Sequence, residues 1–277
     1  MFHRNNFRNI KTKEPQRGED KVLRAFLPFF CVAALALLAF ASYMFVTELM
    51  DYKKSSSLYE NTDKEYVVKN NEGEDSEETI NEGLGWQDLV DVDISALYLE
   101  NDDIIGWIYF ENIDISYPIL YSGDNSTYLR KTYTGEYSSA GSIFMEGKNS
   151  KDFSDVHTII YGHDMKDDTM FGKLKNYVTD SSYIENHEYF QIVTEKEKYR
   201  YKIFSYKIVE DDSEVYTIYK DGSQDFLAFV KENIQDGSFY DAGEIIKYDD
   251  RLITLSTCFN DDRFVVTAVR CDEYTTR

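Results

Sequence analysis

The chain has 277 residues and a formal net charge of −21, because 51 Asp and Glu residues outnumber 30 Lys and Arg residues. Nucleic-acid-binding proteins present a basic surface to phosphates, so this charge argues against nucleic acid as a partner. Three cysteines give no disulfide framework, and the fold must therefore depend on a hydrophobic core. The 23 Tyr, 18 Phe and 2 Trp residues supply ample apolar area for that core.

The first 46 residues predict a membrane anchor. Residues 1–24 carry seven basic and three acidic side chains, and residues 25–46 form 22 uncharged, mostly apolar positions. This length spans a bilayer core of about 30 Å, and the basic flank predicts a cytoplasmic N-terminus with the rest of the chain extracellular. A cleavable signal peptide is the alternative, since Ala39-Phe40-Ala41 resembles a cleavage site, although the apolar run exceeds the ~7–15 residues of a signal core.

The remainder divides into a stalk and a folded domain. Residues 47–82 are rich in Ser, Asn, Lys and Glu and predict an acidic, partly disordered polar stalk. Residues 83–277 predict the folded domain, which starts with one or two short helices over residues 86–100. Strand patterns then dominate, at residues 105–110, 113–120, 140–146, 156–162, 188–194, 199–209, 214–219, 251–257 and 263–270. Two helices interrupt the strands, a short one over residues 169–177 and an amphipathic one over residues 223–234.

Three strand ends carry residues suited to cysteine chemistry. Thr254-Leu255-Ser256-Thr257-Cys258 ends an apolar strand with a cysteine, and Arg263 begins the next strand. Tyr161-Gly162-His163 ends an earlier strand with a histidine. A thiol acts as a nucleophile when neighbouring groups stabilise its thiolate, so a cysteine, a histidine and an arginine at strand ends predict an acyl-transfer site.

Structural roles compete with this interpretation. Cys258 is also suited to filling a core or to forming a disulfide with Cys271 across the predicted hairpin. Arg270 lies on the same strand as Arg263, and the odd spacing directs the two side chains to opposite faces, so only one of them serves the cysteine. We predict that Arg263 is the functional arginine and that Cys271 is a free core or edge thiol.

These segments resemble the sortase family, the cysteine transpeptidases of Gram-positive cell surfaces. Residues 254–258 match the Thr-Leu-x-Thr-Cys signature of the family. Residues 161–165, followed by Thr169-Met170-Phe171, resemble the histidine segment of class B sortases. Residues 105–108 and 115–119 resemble the first strands of that class, and residues 141–144 resemble its third. The resemblance covers roughly residues 85–272.

The resemblance implies a fold and an activity. The fold is a mostly β, closed eight-stranded barrel with N-terminal helices and a helix in the connection before the cysteine strand. The activity is that of a membrane-anchored cysteine transpeptidase, which cleaves a C-terminal sorting signal of surface proteins through a thioester and transfers the acyl group to a cell-wall amine. The implied partners are sorting-signal peptides of secreted surface proteins, a peptidoglycan precursor amine as acceptor, and the membrane through residues 25–46.

The resemblance also assigns roles to individual residues. Cys258 is expected to be the nucleophile, His163 the acid and base, and Arg263 the group that stabilises the oxyanion. The expected substrate-binding residues are Tyr161, Ser256 and Thr257.

No cofactor and no metal are expected, because the other histidines have no Cys or His partners at ligand spacing. Two alternatives to a transpeptidase remain open. One is a cysteine peptidase without acyl transfer, which differs only in whether water or an amine resolves the thioester. The other is a non-catalytic adhesion or binding module on the same barrel, such as a haem relay, with Cys258 inert.

Overall fold

The computed structural model describes residues 19–70 and 85–276. Most of the predicted cytoplasmic tail, residues 1–18, and the end of the predicted stalk, residues 71–82, lie outside the described residues. The described residues fall into two compact units. The first ends at Met50 and the second begins at Asp51.

Helix α1 (Glu19–Tyr66) contains the predicted anchor. The side chains of residues 26–46 are exposed, although nearly all of them are apolar. Within the described ranges, α1 is the one helix that is long and apolar enough to cross a membrane, as judged by length and composition. An exposed apolar surface of this length is compatible with a membrane anchor.

The second unit consists mainly of β-strands. The strands are β1 (Val67–Lys69), β2 (Val90–Val92), β3 (Ile104–Phe110), β4 (Ser116–Leu120), β5 (Ile143–Met145), β6 (His157–Tyr161), β7 (Tyr189–Val193), β8 (Glu197–Val209), β9 (Tyr240–Asp241), β10 (Leu252–Phe259) and β11 (Asp262–Thr275). The α-helices after α1 are α2 (Ile94–Glu100), α3 (Asn176–Thr179) and α4 (Gln224–Phe229). Short 3₁₀ helices cover Trp86–Asp88, Thr127–Leu129, Gly172–Lys175, Tyr183–Asn186 and Glu214–Tyr216, and a π-helical turn covers Val230–Gln235.

Eight of these strands close a barrel, which confirms the predicted fold. Their order is β11-β10-β6-β5-β4-β3-β7-β8, and β8 pairs back with β11. Strand β10 runs parallel to β6 and antiparallel to β11. The ends of β6 and β10 therefore lie side by side, next to the turn that leads into β11.

Alternation along β10 decides which of its residues face the barrel interior. Ile253 and Leu255 belong to the main core, whereas Leu252 packs against Phe226 and Phe229 of helix α4 on the outside of the barrel. The amphipathic helix predicted over residues 223–234 is thus present, and it ends in the π-helical turn. Because successive side chains alternate in a strand, Cys258 shares the outer face with Leu252 and lies beyond the helix, at the exposed end of β10.

One predicted strand is wrong. Residues 214–219 were expected to be extended because of their Val, Tyr and Thr content, but Glu214–Tyr216 forms a 3₁₀ helix. The hydroxyl of Ser213 accepts a hydrogen bond from the backbone N–H of Val215 and caps this turn. A local side-chain cap of this kind competes with strand pairing.

Part of the segment predicted as a stalk packs on the barrel. Residues 51–66 are helical and belong to the same compact unit as the barrel. Asp51 accepts a hydrogen bond of 2.9 Å from the backbone N–H of Ser139, and the hydroxyl groups of Ser55 and Ser138 lie 2.5 Å apart. The predicted limits of the stalk and of the folded domain stay a prediction, but the barrel unit contains residues that precede position 83.

Candidate active site

The β10–β11 hairpin places the predicted nucleophile and arginine beside each other. Cys258 of β10 is the register partner of Arg263 of β11, and Phe259 pairs with Asp262. The two-residue turn between the strands contains Asn260, whose φ of 54° lies in the left-handed region that asparagine tolerates. Directly opposed side chains in an antiparallel pair project from the same face. The tight turn therefore holds the thiol and the guanidinium on one side of the sheet.

His163 follows the end of β6, on the neighbouring strand. The backbone N–H of Gly162 donates to the carbonyl of Ser256 at 3.1 Å, which continues the β6–β10 contact to the residue before the histidine. A Cβ on Gly162 would collide with Ile143 and would lie 2.6 Å from the Phe171 ring. Glycine at this position lets the chain turn closely against that ring, and the turn brings His163 to the cysteine end of the barrel.

A cavity of about 280 Å³ opens at this end of the barrel. Its lining residues are Asn125, Leu129, Phe144, Tyr161, Gly162, His163, Ser256, Thr257, Cys258 and Arg263. The structure therefore brings all six sequence-predicted site residues to one cavity. The roles expected for them stay predictions.

The imidazole of His163 is held by a backbone carbonyl. Its Nε2 lies 2.8 Å from the carbonyl oxygen of Leu129, and because a carbonyl only accepts, Nε2 carries the proton of this bond. In the neutral ring, Nδ1 is then the nitrogen free to take a proton. Burial lowers the pKa of His163, and the charge of Arg130 adds to this effect, while the bond to Leu129 partly opposes it. At neutral pH the ring is mainly neutral, and its protonated form is a stronger acid than an ordinary imidazolium.

The guanidinium of Arg263 has few firm partners. Nη1 donates to the carbonyl of Asp262 at 3.0 Å, and Nη2 lies 3.9 Å from Oδ2 of Asp211. A guanidinium has five N–H donors, so these contacts leave donors available at the cavity. The site thus has a permanent positive charge opposite the thiol.

Arg270 occupies a different environment, one residue beyond the last β10–β11 pair. It donates from Nη2 to the carbonyl of Phe153 and to the hydroxyl of Tyr201, both at 3.0 Å, and its guanidinium carbon lies 3.7 Å from the centre of the Tyr199 ring. Glu273 is its acidic neighbour, at 3.6 Å. Most of the contacts of Arg270 are thus to the barrel itself. It does not line the cavity.

The cysteines are free thiols in the described part of the chain, so Cys258 and Cys271 do not form the disulfide that the sequence left open. The thiol of Cys271 donates to the carbonyl of Arg200 at 3.4 Å, and burial raises the pKa of this thiol. Cys271 lies one residue beyond Arg270, far along β11 from the cavity. It is thus removed from Cys258.

Two residues that hold the cavity wall were not predicted. The carboxylate of Glu146, which is only 6% exposed, accepts hydrogen bonds from the Tyr161 hydroxyl at 2.9 Å and from Nδ2 of Asn125 at 2.5 Å. The Asn125 Oδ1 accepts from the backbone N–H of Gly147 at 2.8 Å, so the orientation of its amide is fixed. Burial, together with the Glu146 charge, raises the pKa of Tyr161 and keeps its hydroxyl protonated. The sequence signal that could have identified Glu146 is its position as an acidic residue directly after the apolar strand β5.

The other predicted substrate-binding residues, Ser256 and Thr257, differ in their hydrogen-bond partners. The hydroxyl groups of Ser256 and Tyr216 lie 2.9 Å apart, and the ring of Tyr216 stacks on that of Tyr161 with 6.3 Å between centroids. The hydroxyl of Thr257 is buried and has no hydrogen-bond partner among the described residues.

The fold and the site define a β-barrel protein with a cysteine, a histidine and an arginine around one cavity, and comparison with known proteins identifies its family. A sortase domain model matches residues 108–271, which is more than half of the chain. This protein belongs to the sortase family, as the sequence motifs predicted.

The relatives found are class B sortases. Sortase B of Listeria monocytogenes is 37% identical over 161 residues, which cover 57% of this chain and 63% of that protein. Sortase B of Staphylococcus aureus is 33% identical over 173 residues, covering 62% and 70%. The matched region therefore spans slightly less than two thirds of the Listeria protein.

Solved structures agree with this assignment. Sortase B from Bacillus anthracis in complex with AAEK1 has a TM-score of 0.64 and 31% identity, and the match covers 80% of this chain and 98% of that one. The Staphylococcus aureus sortase B–substrate complex has a TM-score of 0.59 and 28% identity, with coverages of 66% and 85%.

Proposed function

We propose that this protein is a membrane-anchored cysteine transpeptidase, which cleaves a C-terminal sorting signal of surface proteins and transfers the acyl group to a cell-wall amine. The observation that carries the proposal is the single cavity lined by Cys258, His163 and Arg263. Membership of the sortase family supports it.

The first half of the reaction forms a thioester. His163 takes the proton of the Cys258 thiol, and the resulting thiolate attacks the scissile carbonyl carbon to form a tetrahedral intermediate. As the carbon–nitrogen bond breaks, the His163 imidazolium gives its proton to the leaving amine. The lowered pKa of His163 suits this step, because a more acidic imidazolium transfers its proton more readily.

The second half transfers the acyl group. Neutral His163 takes a proton from the incoming amine, whose nitrogen attacks the thioester carbon. The carbon–sulfur bond breaks, the Cys258 thiolate is restored, and a new amide bond remains in the product. Water in place of the amine gives hydrolysis by the same steps, so the difference between transpeptidase and peptidase lies in the acceptor.

Arg263 stabilises the oxyanion in both halves. Its guanidinium lies opposite Cys258 and stays charged at any working pH. Fixed donors aimed at a developing negative charge contribute strongly, and loss of one such donor typically lowers turnover about 10²–10³-fold. Its weak contact with Asp211 is easily exchanged for a substrate oxygen.

The residues that line the cavity around the catalytic groups bind the substrate peptide. Tyr161 and Phe144 contribute aromatic surface to the cavity, and Glu146 holds the Tyr161 hydroxyl in place. Thr257 has an unpaired hydroxyl that a substrate backbone group would satisfy. The substrate complex solved for the Staphylococcus aureus relative supports substrate binding by this chain.

The membrane topology belongs to the same proposal. Residues 25–46 anchor the chain, the N-terminus is cytoplasmic, and the barrel is extracellular, where sorting signals and peptidoglycan precursor amines are available. The apolar, exposed stretch of α1 supports the anchor, and the basic residues before it support the orientation.

Incubation of the full chain with a library of sorting-motif peptides tests the proposal. Mass spectrometry of the products, with and without an added amine such as triglycine or diaminopimelate, would show an amide-ligated acyl fragment. Cys258→Ala is the control and should give no product. Hydrolysed fragments alone in the presence of amines would identify a cysteine peptidase. A complete lack of cleavage, with Cys258 inert to an alkylating reagent at neutral pH, would identify a non-catalytic module.

A further inference from the structure

We propose that Tyr59 of helix α1 is a positioning residue for His163, so that docking of residues 51–66 on the barrel sets the geometry of the active site. The inference rests on the proposed function for the role of His163, but its structural part stands on contacts alone. Tyr59 is 4% exposed and does not line the cavity, so any effect on catalysis must pass through other residues.

The first connection runs from Tyr59 to the backbone of the loop before β5. Its hydroxyl donates to the carbonyl of Gly141 at 2.7 Å and lies 2.9 Å from Oγ of Ser142. The Ser142 Oγ also lies 2.8 Å from the carbonyl oxygen of Lys131, so two hydroxyl protons serve three close contacts. The Tyr59 hydroxyl therefore ties helix α1 to the loop at Gly141 and Ser142.

The loop that contains Gly141 packs against the carbonyl of Leu129, which is the hydrogen-bond partner of the His163 ring. Gly141 has a φ of 58°, and a Cβ at this position would lie 2.6 Å from the carbonyl oxygens of Tyr128 and Leu129. The backbone N–H of Ser142 donates to the Tyr128 carbonyl at 3.1 Å. The next carbonyl, that of Leu129, accepts the Nε2 proton of His163 at 2.8 Å. A shift of this loop would therefore move the hydrogen-bond partner of the imidazole.

The second connection reaches the backbone of His163. The ring of Tyr59 meets the ring of Tyr117 edge-on, with 5.5 Å between centroids. The Tyr117 hydroxyl accepts a 3.0 Å hydrogen bond from the backbone N–H of Met170, whose φ of 54° is unusual for a side chain of that size. The N–H of Phe171, the next residue, donates to the carbonyl of His163 at 3.0 Å. This connection fixes the main chain of the histidine, whereas the first one fixes its ring.

The two connections start from one side chain and meet at one histidine. Tyr59 lies within a helix face whose members recur at alternating intervals of three and four residues, namely Tyr52, Ser55, Tyr59, Thr62 and Tyr66. This spacing is that of one face of an α-helix. Small misplacements of a catalytic group have large kinetic effects, and about 1 Å can cost about 10²-fold in rate. On this face, the contacts that lead to His163 start from Tyr59.

The test is Tyr59→Phe in the full chain. This variant keeps the ring contact with Tyr117 and removes both hydroxyl contacts. We expect kcat for a sorting peptide to fall about tenfold, with KM within about twofold of wild type because the cavity lining is unchanged. In ¹⁵N-histidine NMR spectra, we expect the His163 ring to lose part of its Nε2-protonated tautomer population.

Tyr66→Phe is the matched control. Tyr66 lies on the same helix and does not line the cavity. This variant should leave kcat, KM and the His163 spectrum at wild-type values. Tyr117→Phe removes the acceptor for the Met170 N–H and should lower kcat with little change in KM, which tests the second connection even if Tyr59→Phe folds poorly.

The NMR readout separates the two proposals. If the wild-type chain does not process peptides, the proposed function fails, while the His163 spectra of Tyr59→Phe and Tyr66→Phe still decide whether Tyr59 sets the ring. An unchanged His163 spectrum in folded Tyr59→Phe would overturn the inference, whether or not activity had fallen. A wild-type kcat for both Tyr59→Phe and Tyr117→Phe would overturn it as well.

Discussion

At the turn of the β10–β11 hairpin, Cys258 and Arg263 face a cavity, whereas Arg270 and Cys271 follow the last β10–β11 pair and bond to the barrel. Both ends of the hairpin carry one cysteine and one arginine, on paired strands at the turn and on successive residues of β11 at the open end. At the far end, the arginine donors go to a backbone carbonyl and a tyrosine hydroxyl. At the turn, Arg263 has N–H donors that are not used by its contacts with Asp262 and Asp211. Residue type is therefore a weaker guide to chemistry than the partners that the fold supplies.

The two histidines near β6 show the same contrast. His157, at the start of the strand, is fully buried, and its ring nitrogens lie 2.8 Å from the carbonyl of Thr217 and from the hydroxyl of Thr254. Burial lowers the pKa of His157 to about 4. His163, beyond the end of the strand, has one nitrogen held and lines the cavity. A pair of bonded nitrogens marks a structural histidine, and a free nitrogen at a cavity marks a candidate catalyst.

The largest difference between the two ends of the hairpin should come from the cysteines. Cys258→Ala removes the nucleophile and should abolish cleavage of a sorting peptide, with little change in the thermal midpoint because the thiol is exposed. Cys271→Ala should keep most of the activity. Product formation followed by mass spectrometry would check both. Turnover by Cys258→Ala would contradict the assignment of the nucleophile.

The histidines should differ almost as strongly. His163→Ala removes the proton carrier and should lower kcat by about 10²–10⁴-fold, the usual range for a general acid–base group. His187→Ala should be close to wild type, because that ring contacts the Tyr183 carbonyl and ring, away from the cavity. Steady-state kinetics on the two variants would test this difference. Equal losses of kcat would argue against His163 as the proton carrier.

Substitution of Arg263 should lower kcat, whereas substitution of Arg270 should lower the free energy of unfolding. Arg263→Lys keeps the charge but loses the planar fork, and we expect kcat to fall about 10²-fold with an unchanged unfolding midpoint. Arg270→Lys should keep kcat but lose about 1–3 kcal/mol of the free energy of unfolding, because a lysine does not reproduce the contacts to Phe153, Tyr201 and Tyr199. Kinetics and urea unfolding on each variant measure both quantities. The reverse pattern would show that Arg270 is the functional cation.

The last prediction concerns the pH dependence of stability and involves no residue of the cavity. The ordinary pKa of a histidine is 6.5, and that of folded His157 is about 4, so between these values the unfolded chain binds a proton that the folded chain does not. Stability should therefore fall by about 1.4 kcal/mol per pH unit as the pH drops from 6.5 to 4, with no contribution above 6.5. His157→Gln should flatten this dependence in urea unfolding at pH 4.5, 5.5 and 6.5. An equal slope in variant and wild type would show that His157 does not titrate as described.

Much of the barrel could be predicted because its strands are runs of β-branched and aromatic residues. The pairing of Cys258 with Arg263 was not predicted, because the two strands were expected to end at residue 257 and to begin at residue 263, without a two-residue turn between them. The strand predicted over residues 214–219 failed, because the pattern does not reveal that Ser213 caps a 3₁₀ turn. The helix over residues 51–66 was missed for a different reason. Its buried face uses Ser, Thr and Tyr instead of aliphatic residues, so a hydropathy pattern describes it as a polar stalk.

The site was only partly predictable for a related reason. Strand ends suggested Cys258, His163 and Arg263, but Glu146 acts on the cavity through contacts that only the folded chain creates. The same holds for the carbonyl of Leu129, since a backbone group has no signature in the sequence.

The most direct test of the proposed chemistry is intact-protein mass spectrometry of the full chain during turnover. With a sorting peptide and no amine, a covalent adduct equal in mass to the acyl fragment should accumulate and map to Cys258 after proteolysis. Addition of an amine should discharge this adduct into an amide-ligated product. Peptide turnover without any adduct on Cys258, or an adduct that amines do not discharge, would contradict transpeptidation through a thioester.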